Sequence, residues 1–191
     1  MKIDENFGWT KHIDYVSNKL RILLCKFYQL SFKIPKDVLK CIYLALVDSI
    51  VSYALDCYGL SFKTHIDKIE ALQIRFLKLL VDKKTQRKCQ NDYSQLFKIL
   101  KVLPVSLKHK YLLAMNNHGS TEHITQHQHG IGTRMVTQGK YEIPRVNNFY
   151  GGRTLTKQLP KLLNDLPTEI RDETNKARFS RLLKKHLLSK I

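Results

Sequence analysis

Lysine and arginine side chains that could hold phosphate groups are concentrated beyond the first third of this sequence. The 191 residues carry 33 Lys or Arg against 16 Asp or Glu, a formal net charge of +17. Residues 61–118 hold 12 basic and 4 acidic residues and residues 119–191 hold 13 and 6, whereas residues 1–60 are nearly neutral. Such an excess indicates a polyanionic partner, with nucleic acid as the first candidate and an anionic membrane surface as the second.

A basic surface is expected in the middle of the chain. Lys68, Arg75 and Lys78 fall within an arc of about 80° on one predicted helix. A basic linker follows, and further lysines continue the charge. The residues predicted to bind nucleic acid are Lys68, Arg75, Lys78, Lys83, Lys84, Arg87, Lys88, Lys98, Lys101, Lys108 and Lys110. They would neutralise phosphates without reading bases, because no groove-reading motif accompanies them.

The histidines of one segment raise the question of a metal site. His118, His123, His127 and His129 are close in sequence, and zinc accepts imidazole readily. Zinc sites usually mix cysteine with histidine, however, and no cysteine is near. We therefore interpret the segment as a solvated loop and predict no metal. No catalytic residue and no cofactor is predicted either, because nucleophile-elbow and phosphate-loop motifs are missing from the sequence.

The cysteines and the longest apolar segment bear on localisation. No two of the four cysteines form a C-x-x-C pair, and we expect buried, reduced thiols. The sequence shows no signal peptide at its start. Residues 38–58 are interrupted by charged side chains, so they predict a buried helix and not a membrane span. The expected localisation is cytoplasmic or nuclear, without secretion. The cysteines are Cys25, Cys41, Cys57 and Cys89.

Apolar periodicity predicts an all-α fold: a bundle of about five helices, a long loop containing His and Gly, and a C-terminal helical pair. The predicted domains are a thumb-like bundle (1–118), a flexible loop (119–153) and a helical extension (154–191). The predicted helices span 9–29, 35–58, 64–82, about 91–100, about 105–118, 157–163 and 174–189. The second helix should bury a wide stripe made of Val38, Leu39, Ile42, Leu46, Ile50, Tyr53, Ala54 and Cys57.

Three stretches, taken in order, resemble one family. Residues 3–13 contain Ile-Asp, then an apolar-x-Trp in the form Phe-Gly-Trp, then His-Ile. Residues 43–59 carry Tyr, Ala-Leu, Ser and Tyr landmarks and are followed by the Leu-Gln-Ile-Arg-Phe-Leu-Lys run of 72–78. Residues 162–171, Leu-Leu-Asn-Asp-Leu-Pro-Thr-Glu-Ile-Arg, follow Arg153 and Thr154. Together these stretches resemble the thumb and C-terminal region of non-LTR, jockey-type (LINE-like) retrotransposon reverse transcriptases, although Leu163 stands where that family usually has Trp.

The resemblance implies a helical thumb that grips an RNA–DNA hybrid or duplex without sequence preference, and a missing palm and fingers as further partners. It does not imply catalysis, because a reverse transcriptase needs a close pair of aspartates for two metal ions and this sequence contains no Asp-Asp. We therefore expect a non-catalytic C-terminal fragment of an RNA-directed DNA polymerase, one that begins partway through the end of the palm.

Three alternatives remain open at the level of sequence. The chain is also compatible with a basic structural or protein-interaction module that has no nucleic-acid role. A weak metal-binding module on the loop histidines is the second. The third is a membrane-surface role for the basic amphipathic helix near the C terminus, although we favour packing of its apolar face and expect no membrane partner.

Overall fold

The computed structural model describes residues 9–89, 92–120, 140–148 and 151–191. These residues are helical and contain no strand, which confirms the all-α class. The internal contacts divide the chain into two compact units, a first unit of residues 1–109 with 186–191 and a second unit of residues 110–185. The helices are α1 (Thr10–Leu30), α2 (Lys36–Ile42), a π-helical turn (Tyr43–Val47), α3 (Asp48–Ser52), α4 (Leu55–Tyr58), α5 (Lys63–Leu79), α6 (Lys83–Lys88), α7 (Ser94–Leu100), α8 (Val105–Asn116), a 3-10 turn (Gly151–Arg153), α9 (Leu155–Asn164), α10 (Thr168–Arg171) and α11 (Lys176–Ser189).

The core of the first unit forms where α1 packs along α5. The rings of Phe27 and Phe76 meet edge to face with their centroids 5.1 Å apart, a favoured aromatic geometry. Gln73 is buried on α5, where its Nε2 donates to the Tyr43 hydroxyl at 3.1 Å and to the Leu103 carbonyl at 3.0 Å. Burial raises the pKa of the Tyr43 hydroxyl, so this group stays protonated.

The prediction of one continuous helix over 35–58 is wrong, and only Leu39 of its predicted stripe is buried. The buried residues are instead spaced four apart. In an α-helix such spacing drifts about 40° around the axis at each step. The wider π-helical turn removes part of that drift, and the helix then breaks where Ala54 adopts a left-handed φ of 57°. Val38 and Tyr53 of the predicted stripe are therefore 48% and 62% exposed. The buried residues that follow this spacing are Leu39, Tyr43, Val47, Val51 and Leu55, and Tyr58 is buried beyond the break.

Two further expectations are corrected. The polar run 83–88, interpreted as a linker, forms α6, because Lys, Gln and Arg are good helix formers and need no apolar face when neighbouring groups anchor them. The cysteines are not uniformly buried. Cys89 is buried, but the other three thiols are exposed, since they lie off the apolar stripes of their helices.

In the second unit, an asparagine side chain makes the two backbone hydrogen bonds that a neighbouring β-strand would otherwise make. Asn164, the last residue of α9, accepts from the Tyr141 N–H at 2.8 Å and donates to the Tyr141 carbonyl at 2.9 Å. Residues 140–148 form neither helix nor strand beyond a single bridge position at Tyr141. The loop predicted over 119–153 lies partly outside the described residues, as do His123, His127 and His129.

Candidate nucleic-acid interface

The six-residue α6 is attached to the end of α5 by side-chain hydrogen bonds. Gln86 Nε2 donates to the carbonyl of Lys78 at 2.5 Å and to that of Val81 at 3.5 Å. The Lys36 ammonium donates to the Leu79 carbonyl at 2.9 Å. The last carbonyls of an α-helix have no partner within the helix, so the bonds to Lys78 and Leu79 satisfy groups that α5 leaves open. Gln86 thereby fixes α6 beside the C-terminal turn of α5.

The other end of α6 is anchored next to α7. Cys89 follows the helix and is 1% exposed, with its Sγ 3.8 Å from Gln95 Oε1 on α7. On the α5 side, the Lys78 ammonium lies 4.3 Å from the centroid of the Tyr93 ring and 3.2 Å from its hydroxyl. A cation over an aromatic face is attractive. The end of α5, α6 and the beginning of α7 therefore form one neighbourhood.

Four cations of α6 face solvent in this neighbourhood. Lys83, Lys84, Arg87 and Lys88 are all exposed, and none forms an ion pair within the part of the chain that the structure describes. The first turn of α6 contains no acidic residue. Lysines in a first turn oppose the helix dipole, so the stability of α6 does not explain why they are there.

Cations of α5 and α7 extend the charge from this neighbourhood. Arg75 is exposed one turn before Lys78, and Lys68 is exposed two turns further back on the same arc. On α7, Lys98 is exposed three residues after Gln95 and so lies on the side of that helix nearest α6. We call the resulting set the basic surface. It comprises Lys68, Arg75, Lys78, Lys83, Lys84, Arg87, Lys88, Lys98 and Lys101.

Lys101 occupies a backbone position that normally belongs to glycine. It ends α7 with a φ of 54°, and its N–H bonds to the Lys98 carbonyl. The Val102 N–H reaches back to the Phe97 carbonyl at 3.0 Å, which completes a Schellman motif. Glycine adopts this left-handed conformation without strain, whereas a lysine side chain is disfavoured there. The motif therefore places a cation at the end of α7 in a backbone conformation that is unfavourable for lysine.

Two residues predicted to bind nucleic acid are not included in the basic surface. Lys108 is only 8% exposed, and its ammonium forms an ion pair with the Asp48 carboxylate. If the Lys108 ammonium moved to a phosphate, the Asp48 carboxylate would be left unpaired in a poorly hydrated site. The expectation of phosphate contact at Lys108 is therefore corrected. Lys110 is exposed but belongs to the second unit, so phosphate contact at Lys110 stays a prediction.

Sequence reasoning missed the residues that position the cations. Gln86 lies inside a run of charges, and Tyr93 is an aromatic residue that carries no charge of its own. The available signal was weak: a glutamine a few residues beyond a predicted helix end is a donor within reach of the open carbonyls of that helix.

A metal centre gains no support among the described residues, where no group of three His, Cys, Asp or Glu side chains comes together. His118 is engaged inside the second unit. One of its ring nitrogens, Nε2, lies 2.8 Å from the Glu173 carbonyl, and its ring centroid lies 4.4 Å from that of Phe179.

Comparison with known proteins finds no matching family model, and it finds no curated protein and no solved structure significantly similar to the chain. Within the described residues, each helix is either too short or too polar to cross a bilayer.

Proposed function

We propose that the chain binds nucleic acid through the basic surface of its first unit, without sequence preference and without catalysis. The observation that supports this most strongly is α6, where four exposed cations lie within six residues and carry no ion pair among the described residues. Flexible lysines and one arginine suit a phosphate backbone, which offers charge at regular intervals and no fixed pattern of base edges.

The expected strength follows from counterion release. Each phosphate that the surface neutralises on duplex DNA lowers the slope of log K against log salt by about 0.9. If all four α6 cations contact phosphate, replacing them by glutamine should make the slope shallower by about 3 to 4. Fluorescence anisotropy of a labelled duplex and a labelled RNA–DNA hybrid, titrated from low to physiological salt, measures both affinity and slope.

The chain supplies its own charge-matched control. Lys176, Arg181, Lys184 and Lys185 on α11 are also three lysines and one arginine, all exposed. Replacing them by glutamine changes the net charge by the same amount at a different place. We expect the α6 variant to bind more weakly and with a shallower salt slope. The α11 variant should keep most of the wild-type affinity and salt slope. Equal losses of affinity in the two variants would mean that binding depends only on net charge. A wild-type chain that binds no nucleic acid at low salt would contradict the proposed function.

We also propose an origin as the thumb and C-terminal region of a non-LTR retrotransposon reverse transcriptase. The ordered landmarks described from the sequence support this origin, and α-helical character is compatible with a thumb. The DNA encoding the region upstream of Met1 provides the test. A frame, open or decayed, that encodes a palm with an aspartate pair is expected, whereas an unrelated upstream sequence would contradict the origin.

A second candidate function is protein interaction, and one specific observation favours it. Part of the stripe that was expected to be buried in the 36–53 segment is open, with Val38, Leu46 and Tyr53 each about half exposed or more. Large apolar side chains at this exposure are typical of an unfilled contact surface. Sedimentation velocity over a wide concentration range provides the test, because Leu46→Lys should abolish any self-association seen in the wild type while leaving nucleic-acid binding unchanged.

A further inference from the structure

We propose that a cleft between the end of α1 and α6 takes an unpaired nucleotide, with its base against exposed aromatic rings and its phosphate on Lys83. The proposal rests on the proposed function and adds the form of nucleic acid that this part of the surface selects. The cleft has a volume of about 520 Å³, which is ample for a small ligand.

Two aromatic residues form one wall of the cleft. Tyr28 is 57% exposed and Phe32 is 73% exposed, although aromatic rings of this size usually bury most of their surface. Their centroids are 5.1 Å apart at an interplanar angle of 85°. The Ser31 hydroxyl donates to the Tyr28 carbonyl at 2.7 Å and so helps to fix the turn that carries Phe32. The rings are thus held together and open to solvent.

The rest of the cleft lining carries charge. Lys36, Asp82 and Lys83 line it together with Gln86. The Lys36 ammonium is engaged with backbone carbonyls, while Lys83 forms no ion pair with any described residue. Asp82 opposes an anion, which disfavours a doubly charged terminal phosphate more than a singly charged phosphodiester. The wall therefore suits an internal nucleotide of a strand better than a free nucleotide.

The combination of open rings with a neighbouring cation is the arrangement that single strands require. Every base offers a π-face, so stacking on Tyr28 or Phe32 is tolerant of sequence, as is phosphate contact. In a duplex the base faces are already stacked on one another and cannot reach these rings. The aromatic wall should therefore add affinity for single strands only, whereas the cations of α6 serve both forms.

The experiment compares a labelled single strand of about 12 nucleotides, a length within the range that such surfaces cover, with its duplex. The variant Tyr28→Leu/Phe32→Leu removes both π-faces and keeps apolar bulk, and Tyr28→Phe keeps the ring. Tyr53→Leu is the matched control, because Tyr53 is an aromatic residue 62% exposed that lines a different cavity. We expect the double variant to weaken single-strand binding by at least about fivefold, with duplex binding unchanged, and the other two to match the wild type.

The outcomes separate this inference from the function beneath it. A double variant that binds both forms as the wild type does overturns the stacking site and leaves the basic surface intact. Equal weakening of single strand and duplex also overturns it, because the rings would then be acting through the fold. A wild-type chain that binds neither form removes the proposed function and the cleft proposal together. Circular dichroism of each variant verifies that the helices are retained.

Discussion

Replacing Lys101 by glycine should stabilise the first unit while weakening its hold on phosphate. The backbone of Lys101 lies at a φ of 54°, in the left-handed region. That conformation costs an L-residue roughly 1–2 kcal/mol, and glycine avoids this cost. Glycine in turn loses about 0.5–1 kcal/mol through the greater freedom of its unfolded chain. The midpoints of these two ranges differ by about 0.75 kcal/mol, so we expect a gain of that order in the free energy of unfolding.

The assay uses the only tryptophan of the chain. Trp9 directly precedes α1 in the first unit, so its fluorescence during urea unfolding reports on that unit. A gain of this size corresponds to roughly 1–4 °C in the midpoint of thermal unfolding for a chain of this length. Anisotropy on a labelled duplex should show a salt slope shallower by about 0.9, which is the loss of one phosphate contact.

Lys101→Ala separates the two effects. Alanine removes the charge but remains an L-residue in a left-handed conformation, so the binding loss should equal that of the glycine variant without the gain in stability. If the glycine variant were no more stable than the alanine variant, the Schellman interpretation of the end of α7 would be refuted. If both variants kept the wild-type salt slope, Lys101 would not belong to the basic surface.

Three further predictions concern the fold. Gly59→Ala should lower the free energy of unfolding by about 1–3 kcal/mol in urea titration, because a Cβ there would overlap the His109 ring. Burial lowers the pKa of both His12 and His186 below the ordinary 6.5, so the unfolded chain binds more protons. Their contribution to stability should be complete above about pH 6.5 and decline as the pH falls below it, as urea titrations at several pH values can measure. A thiol reagent should modify three cysteines of the native chain quickly and buried Cys89 much more slowly, as mass spectrometry can show.

Each of these predictions has an outcome that contradicts it. Unchanged stability in the Gly59→Ala variant would mean that the His109 ring does not pack against this turn. A stability that rises as the pH falls from 7 to 5.5 would reverse the sign expected from buried neutral imidazoles, with His12→Gln as the variant that should flatten the dependence. Modification of all four thiols at the same rate in the native chain would place Cys89 at the surface.

Sequence periodicity predicted α1 and α5 well because each buries one regular stripe. Ile13, Val16, Leu20 and Phe27 follow the spacing of an undistorted helix, and all four are buried. The segment 36–58 misled the same reasoning. Its apolar residues are dense enough to define two stripes. The π-helical turn determines which of the two is buried, because it changes the number of residues per turn. No single residue in the sequence predicts this turn.

The sequence predicts which residues give the candidate site its charge, but it does not predict the contacts that position them. Exposed cations such as Lys84 and Arg87 could be identified from the sequence because runs of this kind do not enter a core. Lys108 looks identical in the sequence, and only the fold brings Asp48, sixty positions away, within reach of its ammonium. The hydrogen bonds of Gln86 depend on where α5 ends, and element boundaries are the least certain part of any sequence-based prediction.

The few contacts that attach α6 determine how readily this helix separates locally from its neighbours. None of its side chains is buried, and its attachment depends on the Gln86 amide and on Cys89 after its last turn. A helix with so little apolar contact separates from its neighbours at a small fraction of the free energy needed to unfold the unit. Its amide hydrogens therefore exchange through local openings, and substitutions that strengthen the contact between α1 and α5 leave that exchange unaltered. Bound phosphate, by contrast, would slow the exchange of α6 selectively.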